Sequence, residues 1–190
     1  MVLDVYSRKI VGHEVHIAES ADLAALLMRR ASLAEGLAGR EVVLHSDDGS
    51  AMKGATMLAT LEKLGIMPSF SRPRVSNDNP FAESLFRTCK YRPNYPRRPI
   101  ETVAQARQWV QQFVQWYNHQ HKQSGLKFVT PAQRHAGLAD TILRRREQVY
   151  EAAKQRYPER WSGTTWNWQL KNEVWLNPER ADPELLKIAA

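Results

Sequence analysis

Val42-Val43-Leu44-His45-Ser46-Asp47-Asp48-Gly49-Ser50 is the stretch on which the fold turns. A short apolar run ends in an acid, and glycine and serine follow at once. The run from Glu41 to His45 predicts a strand buried on both faces. Asp47 then falls at the strand's carboxyl end, where open α/β sheets place their ligands. An N-cap for the next helix is the plainer role for an acid here, and Asp48 or Ser50 can supply it equally well.

Working outward, Gly54, Met57, Leu58, Leu61 and Leu64 mark an amphipathic helix closed by Gly65. Ile66 to Phe70 reads as a further strand, and Arg72 to Asn79, with its Pro, Ser and Asn residues, as a loop. Pro80 suits the first turn of a helix that carries Glu83. On the other side, residues 1–5 and Ile10 to Ile17 read as a hairpin around Tyr6-Ser7-Arg8-Lys9. Ser20 is placed to cap a helix with the stripe Leu23, Leu26, Leu27 and Ala31, which Gly36 and Gly39 end. Pro93, Pro96 and Pro99 interrupt the chain before a long helix marked by Val103, Ala106, Val110, Phe113, Val114 and Tyr117. Thr130-Pro131 starts a short helix to about Ala136, and Asp140 to Arg160 reads as a polar one. Trp161 to Asn177 holds four tryptophans and two strand-like pieces, Thr165 to Leu170 and Val174 to Leu176. This order predicts an α/β domain over residues 1–125, a helical extension over 126–160 and a Trp-rich small β tail over 161–190.

The composition, 43% hydrophobic and 25% charged over 190 residues, is that of a globular chain with room for one real core. No apolar run is long enough for a membrane span, and the N-terminus lacks the pattern of a signal peptide. Cys89 is the only cysteine, which excludes an intrachain disulfide and a cysteine metal site and fits a reducing cytoplasm. The net charge of +7 favours a polyanionic partner. Arg72, Arg74, Arg87, Lys90, Arg92, Arg97 and Arg98 crowd the segment around Glu83, where they would steer phosphates with strong salt dependence. The run Arg144-Arg145-Arg146 is read as a solvated helix face.

Glu83 sits in a second distinctive phrase, Asn77-Asp78-Asn79-Pro80-Phe81-Ala82-Glu83-Ser84. An acid in the first turn of a helix also suits the macrodipole without any further role. Two acids on separate elements that meet at one divalent metal are what phosphodiester chemistry needs. His45 shares the strand face of Asp47 and reads first as a hydrogen-bonded histidine. His119 and His121 are assigned no metal. Trp109, Trp116 and Tyr117 read as helix core, and Trp161, Trp166, Trp168 and Trp175 as a small satellite core.

The chain resembles bacterial insertion-sequence transposases with a retroviral-integrase-type (rve, DDE) catalytic core. The resemblance rests on Asp4-Val5-Tyr6-Ser7-Arg8-Lys9-Ile10-Val11-Gly12, His45-Ser46-Asp47-Asp48-Gly49-Ser50, Asp78-Asn79-Pro80-Phe81-Ala82-Glu83-Ser84-Leu85-Phe86, Lys90-Tyr91-Arg92, Trp116-Tyr117-Asn118 and Thr130-Pro131. It extends to Arg160-Trp161-Ser162-Gly163 and Trp175-Leu176-Asn177-Pro178. It implies a ribonuclease H-like α/β core, a mixed sheet with helices on both faces. Asp47 and Glu83 match two of the family's three metal-binding acids, with Mg²⁺ or Mn²⁺ as cofactor. Asp48 stands where the family more often has Asn, and Pro80 where it often has Ala.

Asp4 does not match the first acid, which the family carries on a preceding strand; the plain reading of Asp4 is a turn acid bonded near Ser7. The chain is accordingly expected to be N-terminally truncated and inactive alone in metal-dependent hydrolysis and strand transfer. The implied partners are transposon-end and target DNA and a homo-oligomer or full-length transposase, in the bacterial cytoplasm at the nucleoid, with no membrane. A non-catalytic DNA- or transposase-binding remnant is the alternative. A cellular nuclease of the same fold is disfavoured by the long tail and the Tyr-Ser-Arg-Lys phrase. In the family the first-acid strand lies between the strands at residues 1–5 and 41–46. The expectation is therefore a gap or direct pairing between those two strands, and poor solubility from bare edges.

Overall fold

The computed structural model describes residues 1–72, 78–92 and 94–176. Strand β1 (Val2–Leu3) and strand β2 (Ile10–Gly12) form an antiparallel pair in which Val2 faces Gly12 and Leu3 faces Ile10. Both are shorter than the sequence suggests. The Asp4 amide donates to the Lys9 carbonyl and the Arg8 amide to the Asp4 carbonyl, so residues 4–9 are consumed by the turn.

Helix α1 (Ala21–Ala34) starts where Ser20 accepts a hydrogen bond from the Leu23 amide at 3.2 Å. Strand β3 (Val42–Ser46) follows, then helices α2 (Ser50–Lys53) and α3 (Ala55–Leu64), which serve as the crossover to strand β4 (Ile66–Phe70). Gly65 closes α3 at φ +68°, a left-handed cap that favours glycine. β3 and β4 pair in parallel from Val42↔Ile66 to Ser46↔Phe70.

Two cores hold these parts together. Ala25, Met28, Met57, Leu61 and Ile66 form one, and Val2 of β1 and Val42 and Leu44 of β3 pack on it. Full burial of each of its larger side chains contributes on the order of 1.5–3 kcal/mol. Ile10, Leu85, Cys89, Phe113, Val114 and Tyr117 form the other, with Leu3 against it. Successive residues Val2 and Leu3 thus point to opposite faces, as strand geometry requires. The β1–β2 pair is covered by helices on both faces.

The β3–β4 pair is not. Val43 is 60% and Met67 65% exposed, so β3 is not the strand buried on both faces that its apolar run predicts. The expected single mixed sheet is two separate two-stranded pairs, one antiparallel and one parallel. Neither β1 nor β3 has a second strand partner among the described residues, and a cavity of about 720 Å³ is lined by residues of both. Direct pairing of β1 with β3, one of the two expected outcomes, does not occur among the described residues.

Helix α4 (Pro80–Tyr91) has Pro80 in its first turn. Helix α5 (Val103–His119) opens on a capping box in which Thr102 and Gln105 satisfy each other's backbone amides. Trp109 and Trp116 are partly buried against the second core, and Tyr117 is part of it. Helix α6 (Pro131–His135) repeats the capping box with Thr130 and Gln133, and helix α7 (Ala139–Arg156) follows. Buried Arg134 donates to the carbonyls of Tyr6 and Lys171, and so ties the hairpin turn to the tail.

Residues 161–176 contain no strand, which corrects the small β reading for the described part of the tail. They attach through side chains instead. Trp168 is buried with Leu126, Val129, Ala139 and Leu143, Trp166 stacks on Phe128, and Trp161 meets Tyr150 edge-on. Trp175 is 65% exposed and lies outside this cluster. Arg146 corrects the reading of a wholly solvated arginine run: its guanidinium donates to the carbonyls of Lys127 and Phe128, two non-glycine residues at positive φ, and lies over the Trp168 ring. Residues 177–190 of the expected tail lie outside the described residues.

Candidate metal and nucleic-acid site

Asp47 follows the last residue of β3 and is exposed. Its carboxylate meets no hydrogen-bond donor or cation among the described residues, whereas neighbouring Asp48 pairs with Lys53. Gly49 keeps the space beside Asp47 open. A Cβ there would lie 3.2 Å from Asp47 Oδ1 and 3.7 Å from Glu19 Oε1. Glu19 is therefore a second carboxylate near Asp47. It sits in the turn before α1 in no recognisable phrase, and only the tertiary fold brings it here. His45 hydrogen-bonds through both ring nitrogens, to Ser69 Oγ at 3.0 Å and Ser71 Oγ at 3.2 Å, as the plainer reading of that residue expects.

Glu83 lies in the first turn of α4, exposed and without a side-chain partner among the described residues. Asn79, Ala82 and Phe86, which flank it on the helix, line the same cavity that Asp47 borders; Glu83 itself does not. The end of β3 and the start of α4 thus share one cavity. No group of three or more His, Cys, Asp or Glu side chains poised for a metal occurs among the described residues. Both carboxylates are exposed and without a side-chain partner among the described residues, and each is the hard oxygen donor that a cation such as Mg²⁺ takes.

Asp4 is occupied elsewhere. It accepts from the Tyr6 amide at 3.1 Å and the Ser7 amide at 3.2 Å, and from the Ser7 hydroxyl. His135 Nδ1 lies 3.2 Å from Asp4 Oδ2, and its Nε2 2.8 Å from Glu35 Oε2, while Lys9 pairs with Glu35 at 2.7 Å. Burial opposes ionisation of Asp4, but the hydrogen bonds from Ser7, His135 and the Ser7 and Tyr6 amides outweigh it and hold its pKa below the ordinary value. Ser7 is fully buried, so its hydroxyl is closed to any reactant.

The basic cluster divides. Arg72 is bound to buried Asp78 through Nη2 at 2.8 Å and Nε at 3.0 Å, which fastens the loop end to the start of α4. Arg92 lies over the Trp116 ring at 4.1 Å. Arg87 and Lys90 on α4, and Arg97 and Arg98 beyond it, are exposed. Arg74 lies outside the described residues. His121 is stacked on Tyr117 and tilted against Trp116, and burial lowers its pKa, which suits a packing role.

Residues 64–131 match the integrase core domain. The chain is 31% identical over 135 residues to the transposase for insertion sequence element IS904 of Lactococcus lactis, covering 68% of this chain and 51% of that protein. It is 30% identical over 125 residues to a putative transposase for insertion sequence element IS986/IS6110 of Mycobacterium tuberculosis, covering 62% and 44%. The chain spans about half the length of the curated relatives it matches. A simian T-cell lymphotropic virus intasome in complex with PP2A regulatory subunit B56 gamma superposes at a TM-score of 0.43 and 16% identity, over 62% of this chain and 41% of that one. No described helix is long and apolar enough to cross a membrane. The chain is a relative of the insertion-sequence transposases and carries their integrase-type, ribonuclease H-like α/β core.

Proposed function

We propose that this chain is a DNA-processing core for transposition, built around phosphodiester hydrolysis and strand transfer, in which Asp47 and Glu83 hold Mg²⁺ or Mn²⁺. The observation that supports this best is the bare Asp47 carboxylate at the carboxyl end of β3, beside the space that Gly49 leaves open. When bound, a divalent cation supplies charge neutralisation at phosphorus and lowers the pKa of water. Asp47 and Glu83 contribute hard oxygen ligands. Arg87, Lys90, Arg97 and Arg98 attract the DNA backbone towards α4 and hold phosphates against it. The partners under this reading are transposon-end and target DNA in the bacterial cytoplasm, and further transposase subunits.

Two carboxylates make an incomplete set, and Asp4 is spent on its turn. The reading therefore includes little or no strand transfer by the 190-residue chain alone. The same two-acid set favours, as a second reading, a chain that binds DNA or transposase without cutting.

Mn²⁺ titration followed by electron paramagnetic resonance tests the site. Asp47→Asn should abolish saturable binding and Glu83→Gln should weaken it. Binding that is unchanged in both variants overturns the metal assignment. Metal binding without any duplex cleavage favours the second reading, and robust Mg²⁺-dependent joining lost in Asp4→Ala shows that Asp4 is catalytic after all.

A further inference from the structure

The tail carries an aromatic surface that its own attachment does not require. Trp168 is 4% exposed and fixes the tail against α7, and Arg134 holds the Lys171 carbonyl. Trp166 is 57% and Phe128 38% exposed, although their rings stack at 5.8 Å. Trp168 meets Trp166 edge-on at 5.5 Å and braces the indole. A stack that served only to fasten the tail would bury both rings.

The loop that presents Phe128 is strained. Lys127 and Phe128 are successive non-glycine residues in the left-handed region, at φ +53° and +62°. A bulky aromatic is rarely found there. Arg146 donates to both of their carbonyls, and the Phe128 amide donates to the Gln123 carbonyl at 2.8 Å, so the conformation is enforced. Enforced strain of this kind concentrates at ligand contacts. Its effect here is to leave Phe128 exposed beside Trp166, with Lys127 Nζ 5.8 Å from the Trp166 ring centre.

Charge narrows the ligand. Residues 124–171 carry nine Lys or Arg against four Asp or Glu, and one of those acids, Glu151, is engaged by the Thr165 hydroxyl. A cationic ligand is repelled, and a purely apolar one leaves the Lys127 ammonium unused. A planar base joined to a phosphate uses both ring and cation, and every base has a face for stacking. Within a duplex that face is covered by the neighbouring bases, so the base must be unpaired.

We propose that Phe128 and Trp166 form a stacking platform for an unpaired base of single-stranded DNA, with Lys127 beside its phosphate. The choice of DNA over RNA rests on the proposed function. The platform itself makes no use of Asp47, Glu83 or the basic residues of α4, so loss of the metal site or of the α4 contacts leaves it testable.

The test measures fluorescence anisotropy of labelled single strands of roughly ten nucleotides with the full chain. Oligodeoxythymidylate should bind about tenfold or more tighter than an abasic strand of the same length, which has the phosphates and no bases. Trp166→Leu keeps an apolar side chain but no aromatic face. It should bring thymidylate binding down to the abasic level, with abasic and duplex binding nearly unchanged. Trp166→Phe should keep most of the preference, and this contrast between two apolar replacements sets stacking apart from a loss of folding. Several outcomes overturn the proposal. They are equal binding of the thymidylate and abasic strands, an equal loss of both strands in Trp166→Leu, a leucine variant as good as the phenylalanine one, and tighter binding of oligouridylate than of the deoxy strand. Concentration-dependent dimerisation of the free chain that Trp166→Leu weakens also overturns it, since a second copy then covers the platform.

Discussion

Asn118 treats Ile10 as a neighbouring strand would: its Oδ1 accepts from the Ile10 amide at 2.9 Å and its Nδ2 donates to the Ile10 carbonyl at 2.9 Å. One side-chain amide thereby closes the outer edge of β2 at Ile10, inside the core formed with Phe113, Val114 and Tyr117. Asn118→Leu keeps the approximate volume but leaves two buried backbone groups unpaired, at about 1–3 kcal/mol each. Urea denaturation should show a loss of about 2–6 kcal/mol. Asn118→Asp keeps the acceptor and loses the donor, so it should also destabilise. A leucine variant within about 0.5 kcal/mol of wild type would show that water or the backbone replaces the amide.

Gly54 tests the packing of α1 on α3. A Cβ at this position would sit 2.4 Å from the Ala21 Cβ. Neither carbon belongs to a flexible side chain, so the helices must separate. Gly54 is the extended junction between α2 and α3. Gly54→Ala there should cost about 1–3 kcal/mol of stability. Ala21→Gly in the same chain should recover part of that loss. A neutral single variant would mean that the first turn of α1 shifts freely.

The network of Asp4, Ser7, His135, Glu35 and Lys9 predicts an acid limit on stability. Burial opposes ionisation of Glu35, but Lys9 and His135 outweigh it, so its pKa, like that of Asp4, lies below the ordinary value. A depressed folded-state pKa contributes stability above the unfolded value, and that contribution is lost as pH falls through the folded one. The loss should begin below the ordinary values of 4.5 for Glu35 and 3.8 for Asp4, and finish only below their depressed folded values. His135→Ala removes the ring that lies within hydrogen-bond distance of both carboxylates. It should move the acid transition upward and cost about 1 kcal/mol near neutral pH, a modest figure because the ring is partly exposed and water replaces it. An acid melting profile identical to wild type would dismiss the network as a stabilising device.

Local physics made much of the fold legible in the sequence. Ser20 caps α1, Gly65 ends α3, Pro80 opens α4 and Thr130-Pro131 starts α6, because each signal acts within one turn of its own position. Pairing between distant segments was less legible. The apolar run at β3 gives no sign that Val43 faces solvent, since periodicity reports polarity and not what covers a face. The strand-like alternation of the tail was misleading for the same reason: Trp168 is fixed by α7 and the Leu126–Val129 segment, not by a partner strand. At the site, Asp47 and Glu83 stood out by their phrases. Glu19 could not, because its approach to Asp47 depends on where α1 begins relative to β3. Arg72 read as one of many basic residues until its pairing with buried Asp78 set it apart.

That last distinction gives a prediction about DNA. A cation that contacts phosphate releases counterions, so log K falls with log salt by roughly 0.9 per phosphate neutralised on duplex. Arg87, Lys90, Arg97 and Arg98 are exposed, whereas Arg72 is engaged by Asp78 and Arg92 lies over Trp116. If each of the first four meets one phosphate, the slope of the intact chain should be at least about −3.6. Alanine at Arg87, Lys90, Arg97 or Arg98 should weaken binding to any duplex sequence and reduce the slope by about 1 each. Arg72→Ala should behave differently. It removes one guanidinium that holds buried Asp78, so its first effect is on stability, by less than the roughly 3–5 kcal/mol scale of a broken buried pair, because the arginine side of this pair is largely exposed to water. Its salt slope should stay close to wild type wherever the protein remains folded. Fluorescence anisotropy of a labelled duplex at several salt concentrations, beside a thermal melt of each variant, separates the two classes. An Arg72 variant with normal stability and a slope reduced by 1, or an Arg87 and Lys90 double variant with an unchanged slope, would place the DNA path away from α4.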